Sequence, residues 1–393
     1  MSYIAYGIFS DHNNISKRVG ARLGNTVIDV AQLSKLGILD SNLNKIFNAH
    51  TLNPFMEYPE HLRGKIKLEL ETFLSNLHKN CYHNQQIVYN IDEITMHMPI
   101  EVAGYTDFYA SEAHATNIGR IFRPDNPLLP NWKYIPIAYN GRASSIIISG
   151  HQIKRPKGQI FNSAINSPEL KPSQKLDFEV ELGIIIGKKN ELGIPININD
   201  AHNYIFGVCI LNDWSARDIQ SWEYQPLGPF NSKGFATSIS PWIIPIEELE
   251  PFKVPTIKQE PKPLDYLLAD KDYLYDINFE VILKAANCTD KIIISKTNFK
   301  NVYWTISQWI AHHTISGTSL NPGDILASGT ISGFNEGSFG SLIEITKNGQ
   351  NPIILPNGES RSFLHDGDEL IIHAYCGSNL ELDFGTVTGI ICP

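Results

Sequence analysis

The feature that most constrains the fold is a long succession of short strand-like segments that follows Pro99. Most are runs rich in β-branched and aromatic residues, separated by Gly, Pro, Asn and Asp, and one clear helical pattern occurs at about residues 303–312. The segments read SSIIISG, FEVELGIIIG, YIFGVCILN, ATSISPWIIPI, YDINFEVILKAA, KIIIS, DILASG, SLIEIT, PIILP and ELIIHAYC. Many strands of uneven length with few helices favour a mixed β-rich roll or barrel over an alternating doubly wound sheet.

The residues before Pro99 have a different pattern and predict a separate, small β unit. The segments YIAYGIFS, RVGARLG and TVIDV are candidate strands around a Gly-Asn turn. Apolar residues then recur at helical spacing from residue 60 to about residue 79, which predicts an amphipathic helix that covers the β unit, and the polar stretch CYHNQQ follows. We therefore expect a β-rich α+β protein with two domains, residues 1–98 and 99–393.

Composition and charge exclude several classes of protein. The chain has 393 residues, of which 42% are apolar and 19% are charged, as is usual for a globular enzyme that has a large core. A formal charge of −9 argues against nucleic acid or an anionic membrane as the main partner. No membrane span and no secretory signal are recognisable, so we expect a cytosolic location. The five cysteines are scattered without CxxC spacing, which predicts neither a disulfide framework nor a zinc site.

A polar stripe is predicted within the stretch LNDWSARDIQSWEYQPLGPF. The residues of this stripe, which lie four, three and four positions apart, are Asp213, Arg217, Gln220 and Tyr224. Helical periodicity would place them on one face, with the large rings of Trp214 and Trp222 packed on the other. Such a face can be the wall of a polar site, or it can simply be solvated.

The segment FEVELGIIIG brings two carboxylates together. Strand alternation projects Glu179 and Glu181 from the same face, with their Cα atoms about 7 Å apart. Like charges so close together either face water or share a cation. The apolar run 182–186 is typical of a buried strand, and this favours the cation. Carboxylates without soft ligands select Mg²⁺ or Ca²⁺ over zinc.

Another candidate cluster lies in GYTDFYASEAHATNIG, where Asp107, Tyr109 and His114 fall within a predicted loop or short helix. Asp107 could be a further oxygen ligand, and His114 could be a general base, because a neutral imidazole accepts a proton near pH 7. The alternative is an Asp that caps a helix beside a surface histidine.

Two further stretches contain polar residues among turns. The first carries Arg123, Tyr139 and Arg142, for which loop packing is the alternative explanation. The second has a Gly-rich turn at Thr330 that leads into a predicted strand with Glu344. It lacks the GK[ST] of a P-loop and the GxSxG of a nucleophile elbow, so neither nucleotide binding nor serine chemistry is indicated.

Five segments together resemble the fumarylacetoacetase family. In chain order they are YTDFYASEAHATN, NWKYIPIAYNGRASS, DFEVELG, NDWSARDIQSWEYQPLGPFNSKGF and ASGTISG. The resemblance covers nearly the whole chain and implies an SH3-like amino-terminal barrel, a mixed β-roll catalytic domain and a homodimer. It also implies hydrolysis of 4-fumarylacetoacetate to fumarate and acetoacetate, the last step of tyrosine and phenylalanine degradation. Shorter members of the superfamily lack such an amino-terminal domain, so the length favours this activity.

The resemblance also implies a role for each matching residue. A divalent ion, Ca²⁺ or Mg²⁺, would be held by Asp107, Glu179, Glu181 and Asp213. The water-activating base would be His114, which Glu344 would orient. The developing oxyanion would be bound by Arg217, Gln220 and Lys233. The substrate contacts would be Tyr109, Arg123, Tyr139, Gln220, Tyr224 and Thr330. A second cation would lie near Asp213, Lys233 and Thr237.

This chain departs from the family pattern at Gly104 and Asn140, where the family often has Asp and His. Neither position is a proposed ligand or base, so these departures bear on local packing and substrate detail. Two alternatives remain at this stage: an acylpyruvate hydrolase or decarboxylase with the same carboxylates, and a non-enzymatic cation-binding β protein. A purely structural cation site would need neither His114 nor Glu344.

Overall fold

The amino-terminal sheet is antiparallel throughout. The computed structural model describes residues 3–76 and 87–393. The strands of this sheet are β1 (Ala5–Asp11), β2 (Arg18–Leu23), β3 (Thr26–Asp29), β4 (Val88–Asn90) and β5 (Ile94–His97). They are ordered β4-β3-β2-β1-β5. The predicted Gly-Asn turn joins β2 to β3. Gly24 has a φ of +59°, a left-handed backbone conformation that residues with a side chain rarely adopt. The small β unit is confirmed.

Four helices lie against this sheet in the described part of the chain. They are α1 (Val30–Lys35), α2 (Asn44–Phe47), α3 (Asn53–Met56) and α4 (Glu60–Ser75). The last is the predicted amphipathic helix, and it buries Ile66, Leu70 and Phe73 in the core that also contains Tyr6. The predicted end of this helix beyond residue 76 and the polar stretch CYHNQQ lie outside the described residues.

The central sheet positions the candidate site. Its strands are β6 (Tyr105–Phe108), β7 (Ala138–Asn140), β8 (Ile146–Ile148), β13 (Val180–Ile186), β14 (Ile205–Asp213), β16 (Thr237–Ile239), β17 (Ile244–Pro245) and β22 (Ile325–Ala327). The order is β7-β6-β22-β13-β14-β16-β8, and β17 pairs with β14. Every residue of β13 and β14 is buried. Because both faces of these two strands are covered, their sequences are largely continuous runs of apolar residues.

The remaining strands form a second large sheet and several short ribbons. The large sheet, in the order β21-β20-β25-β26-β9, contains β9 (Gln152–Lys154), β20 (Asn278–Lys284), β21 (Lys291–Asn298), β25 (Glu369–Cys376) and β26 (Leu382–Cys392). The ribbons pair β10 (Lys157–Asn162) with β11 (Ser167–Pro172), β12 (Leu176–Asp177) with β15 (Ser215–Ala216), β18 (Lys253–Pro255) with β19 (Tyr273–Tyr275), and β23 (Ile353–Ile354) with β24 (Ser360–Arg361). The chain is thus a β-rich α+β protein, as predicted.

Helices are short in the larger part of the chain. The α-helices are α5 (Glu112–Phe122), α6 (Arg217–Glu223), α7 (Ile306–Thr314) and α8 (Leu342–Ile345). In the described residues of both parts of the chain, 3₁₀ segments span Ser41–Leu43, Ile91–Glu93, Ala143–Ser145, Ile198–Tyr204, Ile246–Phe252, Asp265–Leu267 and Phe299–Asn301. The predicted helix at residues 303–312 is α7, which starts later because Thr305 and Gln308 form a capping box at its amino terminus. Among the helices of residues 3–76 and 87–393, none has the length and apolar character of a membrane span.

Apolar packing joins the amino-terminal sheet to the central sheet. One buried cluster contains Tyr6 and Leu70 from the first part of the chain and Ile185, Phe206 and Ile243 from the second. Backbone hydrogen bonds between Tyr6 and Ile243, with N···O distances of 2.9 and 2.8 Å, cross the same boundary. The two parts therefore share a core instead of meeting only at a polar surface.

Several local predictions were wrong. The polar stripe is not a single helical face, because Asp213 ends strand β14 and α6 begins only at Arg217. The segment SLIEIT forms helix α8 and not a strand. Trp214 is buried as predicted, but Trp222 is 43% exposed and stacks on Phe161 of the β10–β11 ribbon, at a centroid distance of 4.8 Å.

Candidate active site

Four buried carboxylates converge at one end of the interior strands of the central sheet. They belong to Asp107, Glu179, Glu181 and Asp213, and one oxygen of each lies within 4.8 Å of the others. The order of the strands explains this convergence. Glu181 is paired with Leu211 across β13 and β14, and Asp107 in β6 is aligned with Ala327 of the intervening β22. Asp107 therefore lies on a strand, which corrects the predicted loop or short helix.

The carboxylate cluster contains oxygens without a hydrogen-bond partner. In the described residues, Oδ1 of Asp107 and both side-chain oxygens of Glu181 are buried and unpaired. Burial raises the pKa of both carboxyls well above the ordinary value, and the neighbouring carboxylates, Asp213 for Asp107 and Asp107 for Glu181, raise it further. Unpaired buried carboxylates are costly unless a cation binds them. The donor set, composed only of hard oxygens, fits a divalent ion such as Mg²⁺ or Ca²⁺.

Two cationic side chains border the cluster. Lys233 Nζ lies 2.5 Å from Glu179 Oε2 and 2.6 Å from Asp213 Oδ2, and Arg217 Nη1 lies 2.7 Å from Glu179 Oε1. Burial alone would raise the pKa of Glu179, but Lys233 and then Arg217 outweigh it and hold this pKa well below the ordinary value. Glu179 is therefore ionised. In the predicted polar stripe the charged residues Asp213 and Arg217 are buried, and Gln220 and Tyr224 are half-buried.

The residues predicted around a second cation also lie together. Thr237 Oγ1 donates to Asp213 Oδ1 over 2.9 Å, and Lys233 binds the other oxygen of the same carboxylate. A protonated lysine side chain offers donors and no ligand atom. The structure thus accounts for both Asp213 oxygens without a second ion, and that ion stays a prediction.

His114 is paired with Glu344 across a large separation in sequence. His114 Nδ1 and Glu344 Oε2 are 2.7 Å apart, and both side chains are buried. Burial would raise the pKa of Glu344, but His114 lowers it and the resulting pKa is below the ordinary value. Helix α5 carries His114 in its first turn, and Ser111 caps that helix. The alternative of a surface histidine beside an Asp cap is therefore excluded.

Three polar residues that sequence reasoning missed hold Glu344 in place. Asn117 Nδ2 donates to Oε1 over 3.0 Å, and the hydroxyls of Ser332 and Ser341 donate to Oε2 over 2.9 and 2.7 Å. Asn117 lies three residues after His114 on the same helix, so helical spacing could have indicated it. The two serines come from the Gly-rich segment, where neither helical nor strand periodicity indicates which residues face the site.

A cavity of about 520 Å³ opens over these groups. Predicted site residues that line it are Asp107, Tyr109, His114, Arg123, Tyr139, Glu179, Arg217, Gln220, Tyr224, Lys233 and Thr330. Glu181, Asp213, Thr237 and Glu344 do not line it. Glu344 is hydrogen-bonded to the lining residue His114 and Asp213 to the lining residue Lys233, whereas Thr237 donates to Asp213. Arg142 is exposed and does not line the cavity.

The cavity wall presents unpaired hydrogen-bond donors. Arg123 Nε, Arg217 Nη2 and Thr330 Oγ1 are buried without a partner among the described residues. Gln220 Oε1 accepts from Arg217 Nη1 over 3.0 Å, and Tyr139 donates its hydroxyl to Asp213 over 3.2 Å. Buried donors without acceptors favour an oxygen-rich, anionic ligand, whose oxygens would complete their hydrogen bonds.

The two departures from the family pattern lie outside the cavity. A Cβ atom at Gly104 would lie 2.9 Å from Asp324 Oδ1, so the side chain of Asp324 occupies the space that a larger residue would need. Asn140 is an exposed residue at the end of β7, where it pairs with Thr106.

Comparison with known proteins gives a consistent result. The sequence profile described as "Fumarylacetoacetase N-terminal" matches residues 3–99, and the one described as "Fumarylacetoacetate (FAA) hydrolase C-terminal" matches residues 104–390. The fumarylacetoacetase of Arabidopsis thaliana is 44% identical over 99% of this chain and 94% of its own length. That of Homo sapiens is 42% identical over 99% and 95%.

Solved structures share the fold at low sequence identity. A fumarylacetoacetate hydrolase from psychrophilic Exiguobacterium antarcticum covers 99% of both chains with a TM-score of 0.56 and 14% identity. A maleylpyruvate hydrolase from Sphingobium does so with a TM-score of 0.54 and 15% identity. These structures show the fold, and the full-length relatives and matching profiles show more: the chain belongs to the fumarylacetoacetase family.

Proposed function

We propose that this protein is a metal-dependent hydrolase that cleaves a carbon–carbon bond of 4-fumarylacetoacetate to give fumarate and acetoacetate, in the last step of tyrosine and phenylalanine degradation. The observation that carries the proposal is the buried His114–Glu344 pair, whose imidazole faces the same cavity as the carboxylate cluster. Sequence similarity to fumarylacetoacetases over nearly the full length supports the choice of substrate.

The proposed cofactor is Ca²⁺, Mg²⁺ or both, held by Asp107, Glu179, Glu181 and Asp213. These carboxylates and the side chains of Arg217 and Lys233 carry a formal charge of about −2, which one divalent ion would neutralise. When bound, such an ion polarises substrate oxygens and favours charge that develops on them.

In the proposed reaction, one group of side chains transfers protons and another stabilises the negative charge that develops. Glu344 accepts a hydrogen bond from Nδ1–H of His114, which leaves the Nε2 lone pair free to deprotonate water. The hydroxide attacks the carbonyl carbon of the fumaroyl group, and Arg217, Gln220 and Lys233 donate to the oxyanion that forms. The carbon–carbon bond then breaks, and the imidazolium returns its proton to the departing carbon of acetoacetate. One water is consumed, with its hydroxyl on fumarate and its hydrogen on acetoacetate.

Substrate recognition is assigned to the rest of the cavity wall. Arg123, with its unpaired Nε, would bind a carboxylate of the substrate, and the hydroxyl of Thr330 would donate to a further oxygen. The remaining proposed contacts are Tyr109, Tyr139, Gln220 and Tyr224. All of them are polar or aromatic, which suits a conjugated diketo acid.

Further features follow from family membership as proposals. They are the homodimer, the cytosolic location, the SH3-like form of the amino-terminal barrel, the division into residues 1–98 and 99–393, and the second cation near Asp213, Lys233 and Thr237. The His114–Glu344 pair argues against a purely structural cation site, which would use neither residue.

An assay of the purified protein tests the proposed activity directly. Fumarylacetoacetate should lose its diketone absorbance in the presence of the protein and Mg²⁺ or Ca²⁺. An acylpyruvate, measured in parallel, distinguishes the related hydrolase activity. Turnover of the acylpyruvate alone would contradict the proposed substrate, and turnover of neither compound with saturating metal would contradict the proposed reaction.

A further inference from the structure

Asp177 is a buried carboxylate that neither belongs to the metal cluster nor lines the cavity. It has no exposed surface and lies on β12, two residues before Glu179. Its oxygens accept four hydrogen bonds. The donors are Phe178 N and Leu342 N on Oδ1, at 2.8 and 2.7 Å, and Arg217 Nε and Ile343 N on Oδ2, at 2.8 and 3.0 Å.

These donors belong to two separate parts of the proposed machinery. Arg217 is the first residue of helix α6, and its Nη1 donates to Glu179 Oε1. Leu342 and Ile343 start helix α8, whose next residue is Glu344. One side chain therefore touches both the group assigned to the oxyanion and the helix that carries the partner of His114.

The local structure explains why a carboxylate is needed here. The first N–H groups of a helix have no partner inside the helix, and two of those in α8 are satisfied by Asp177. The pairing of Asp177 with Ser215 across β12 and β15 brings Arg217 within reach. A neutral amide has one acceptor oxygen and would direct N–H groups at two of the donors. Only the ionised carboxylate accepts from both elements at once.

We propose that Asp177 is a positioning residue that fixes Arg217 and Glu344 relative to each other, an inference that rests on the proposed hydrolase function. Removal of its charge would let the guanidinium turn towards Glu179 alone and would loosen the first turn of α8. The predicted effect is on the reaction step. Because Arg217 also donates to Glu179, a proposed metal ligand, kcat is measured at saturating metal.

Asp177→Asn and the control Asp218→Asn test this role. Asp218 is also a buried carboxylate at the start of α6, but it accepts from Ser173 Oγ, Gln174 N and Ile219 N and from neither Arg217 nor helix α8. Per folded molecule, Asp177→Asn should lower kcat by about 10- to 100-fold with KM changed less than about threefold, and Asp218→Asn should leave both close to the original values. In a Glu344→Gln background, Asp177→Asn should cost a smaller factor in kcat, because the part that acts through Glu344 is already lost and only the part that acts through Arg217 remains.

A second pair of variants changes the donor of the hydrogen bond between Leu342 N and Asp177 instead of its acceptor. Leu342→Pro removes the N–H that donates to Asp177, and the extended conformation of Ser341, with φ −151° and ψ 154°, accepts a following proline. Leu342→Ala keeps the N–H and truncates this buried side chain further than proline does, so it is the more severe control for lost packing. We expect Leu342→Pro to have a lower kcat than Leu342→Ala. If Asp177→Asn does not fold, a kcat of Leu342→Pro that is no lower than that of Leu342→Ala would contradict the positioning role.

Each outcome distinguishes the positioning role from the function. Absence of turnover by the unmodified protein overturns both proposals. With an active unmodified protein, an unchanged kcat in folded Asp177→Asn overturns the positioning role alone. So does the same factor for Asp177→Asn in both backgrounds, because a merely structural contribution would be independent of Glu344.

Discussion

His114 Nδ1 and Glu344 Oε2 lie 2.7 Å apart although 230 positions separate the two residues in sequence. If this pair transfers the proton of the attacking water, His114→Gln should lower kcat by about 10² to 10⁴ and leave metal binding intact. Glu344→Gln should cost less, because only the orientation and charge support of the imidazolium are lost. The double variant should be little worse than His114→Gln alone.

Steady-state kinetics and a metal titration check this prediction together. His151→Gln, at an exposed histidine outside the cavity, is the control and should retain full activity. If His114→Gln lowered metal affinity while its rate at saturating metal stayed intact, His114 would act as a ligand and the proposed reaction would lose its base.

Removal of the divalent ion should abolish activity and lower the melting temperature, because the unpaired oxygens of Asp107 and Glu181 would then have no cation. Thermal melts with chelator, Mg²⁺ and Ca²⁺ measure the effect. Glu181→Gln should lose most of the gain on metal addition, whereas Glu336→Gln, at a side chain that is 85% exposed, should keep it. Unchanged turnover after exhaustive chelation would rule out the metal.

The pH dependence of stability should include a contribution from His202. Burial lowers the pKa of His202 to about 4, and the nearby charge of Lys253 contributes to the lowering. The ring stacks on Tyr273, and its Nδ1 is buried without a partner in the described chain. The unfolded chain has the ordinary value of about 6.5, so it binds more protons between these two values. The contribution is therefore complete above about pH 6.5 and decreases as the pH falls towards 4.

Urea unfolding at pH 4.5 and 6.5 measures this contribution. His202→Phe keeps a stacking ring but cannot titrate, so its loss of unfolding free energy between the two pH values should be smaller than that of the unmodified protein by about 2 to 3 kcal/mol. Equal losses in the two proteins would show that His202 does not take up the proton.

The two tryptophans around α6 should differ in their contribution to stability. Trp214 is fully buried and donates to Ser238 over 2.9 Å, so Trp214→Ala should cost about 3 to 5 kcal/mol. Trp222 is 43% exposed, and Trp222→Ala should cost about 1 kcal/mol through loss of the stack on Phe161. Urea unfolding of the two variants gives both values, and similar losses would contradict the difference in packing.

Light scattering at micromolar concentration should give the mass of a homodimer, as expected for this family. A protein of known monomeric mass, measured under the same conditions, provides the calibration. A mass of about one chain at that concentration would contradict the prediction.

The sequence was sufficient where one physical signal dominated. Alternation and apolar runs indicated the buried strands on which Glu179 and Glu181 meet, and helical spacing indicated α4 and α7. Spacing could not show that Asp213 is on a strand, because positions four, three and four apart also fit a strand end that leads into a helix.

Tertiary contacts decided the segments that were predicted wrongly. The residues of SLIEIT have strong strand propensity, but the first N–H groups of α8 are bound by Asp177, and Glu344 is bound by His114, so a single helical turn forms. Asp177 is 165 positions from Leu342, and no local pattern contains that information. The same limit applies to Ser332 and Ser341.

The core shared by the amino-terminal and central sheets means that the first hundred residues are not a detachable module. Without them, Ile185, Phe206 and Ile243 would lose the apolar neighbours that cover them. We therefore expect a chain shortened to residues 99–393 to expose this surface and aggregate, and the intact protein to melt in one cooperative transition. A substitution in the core beside Tyr6 would therefore lower the amount of active enzyme even though it lies outside the catalytic cavity.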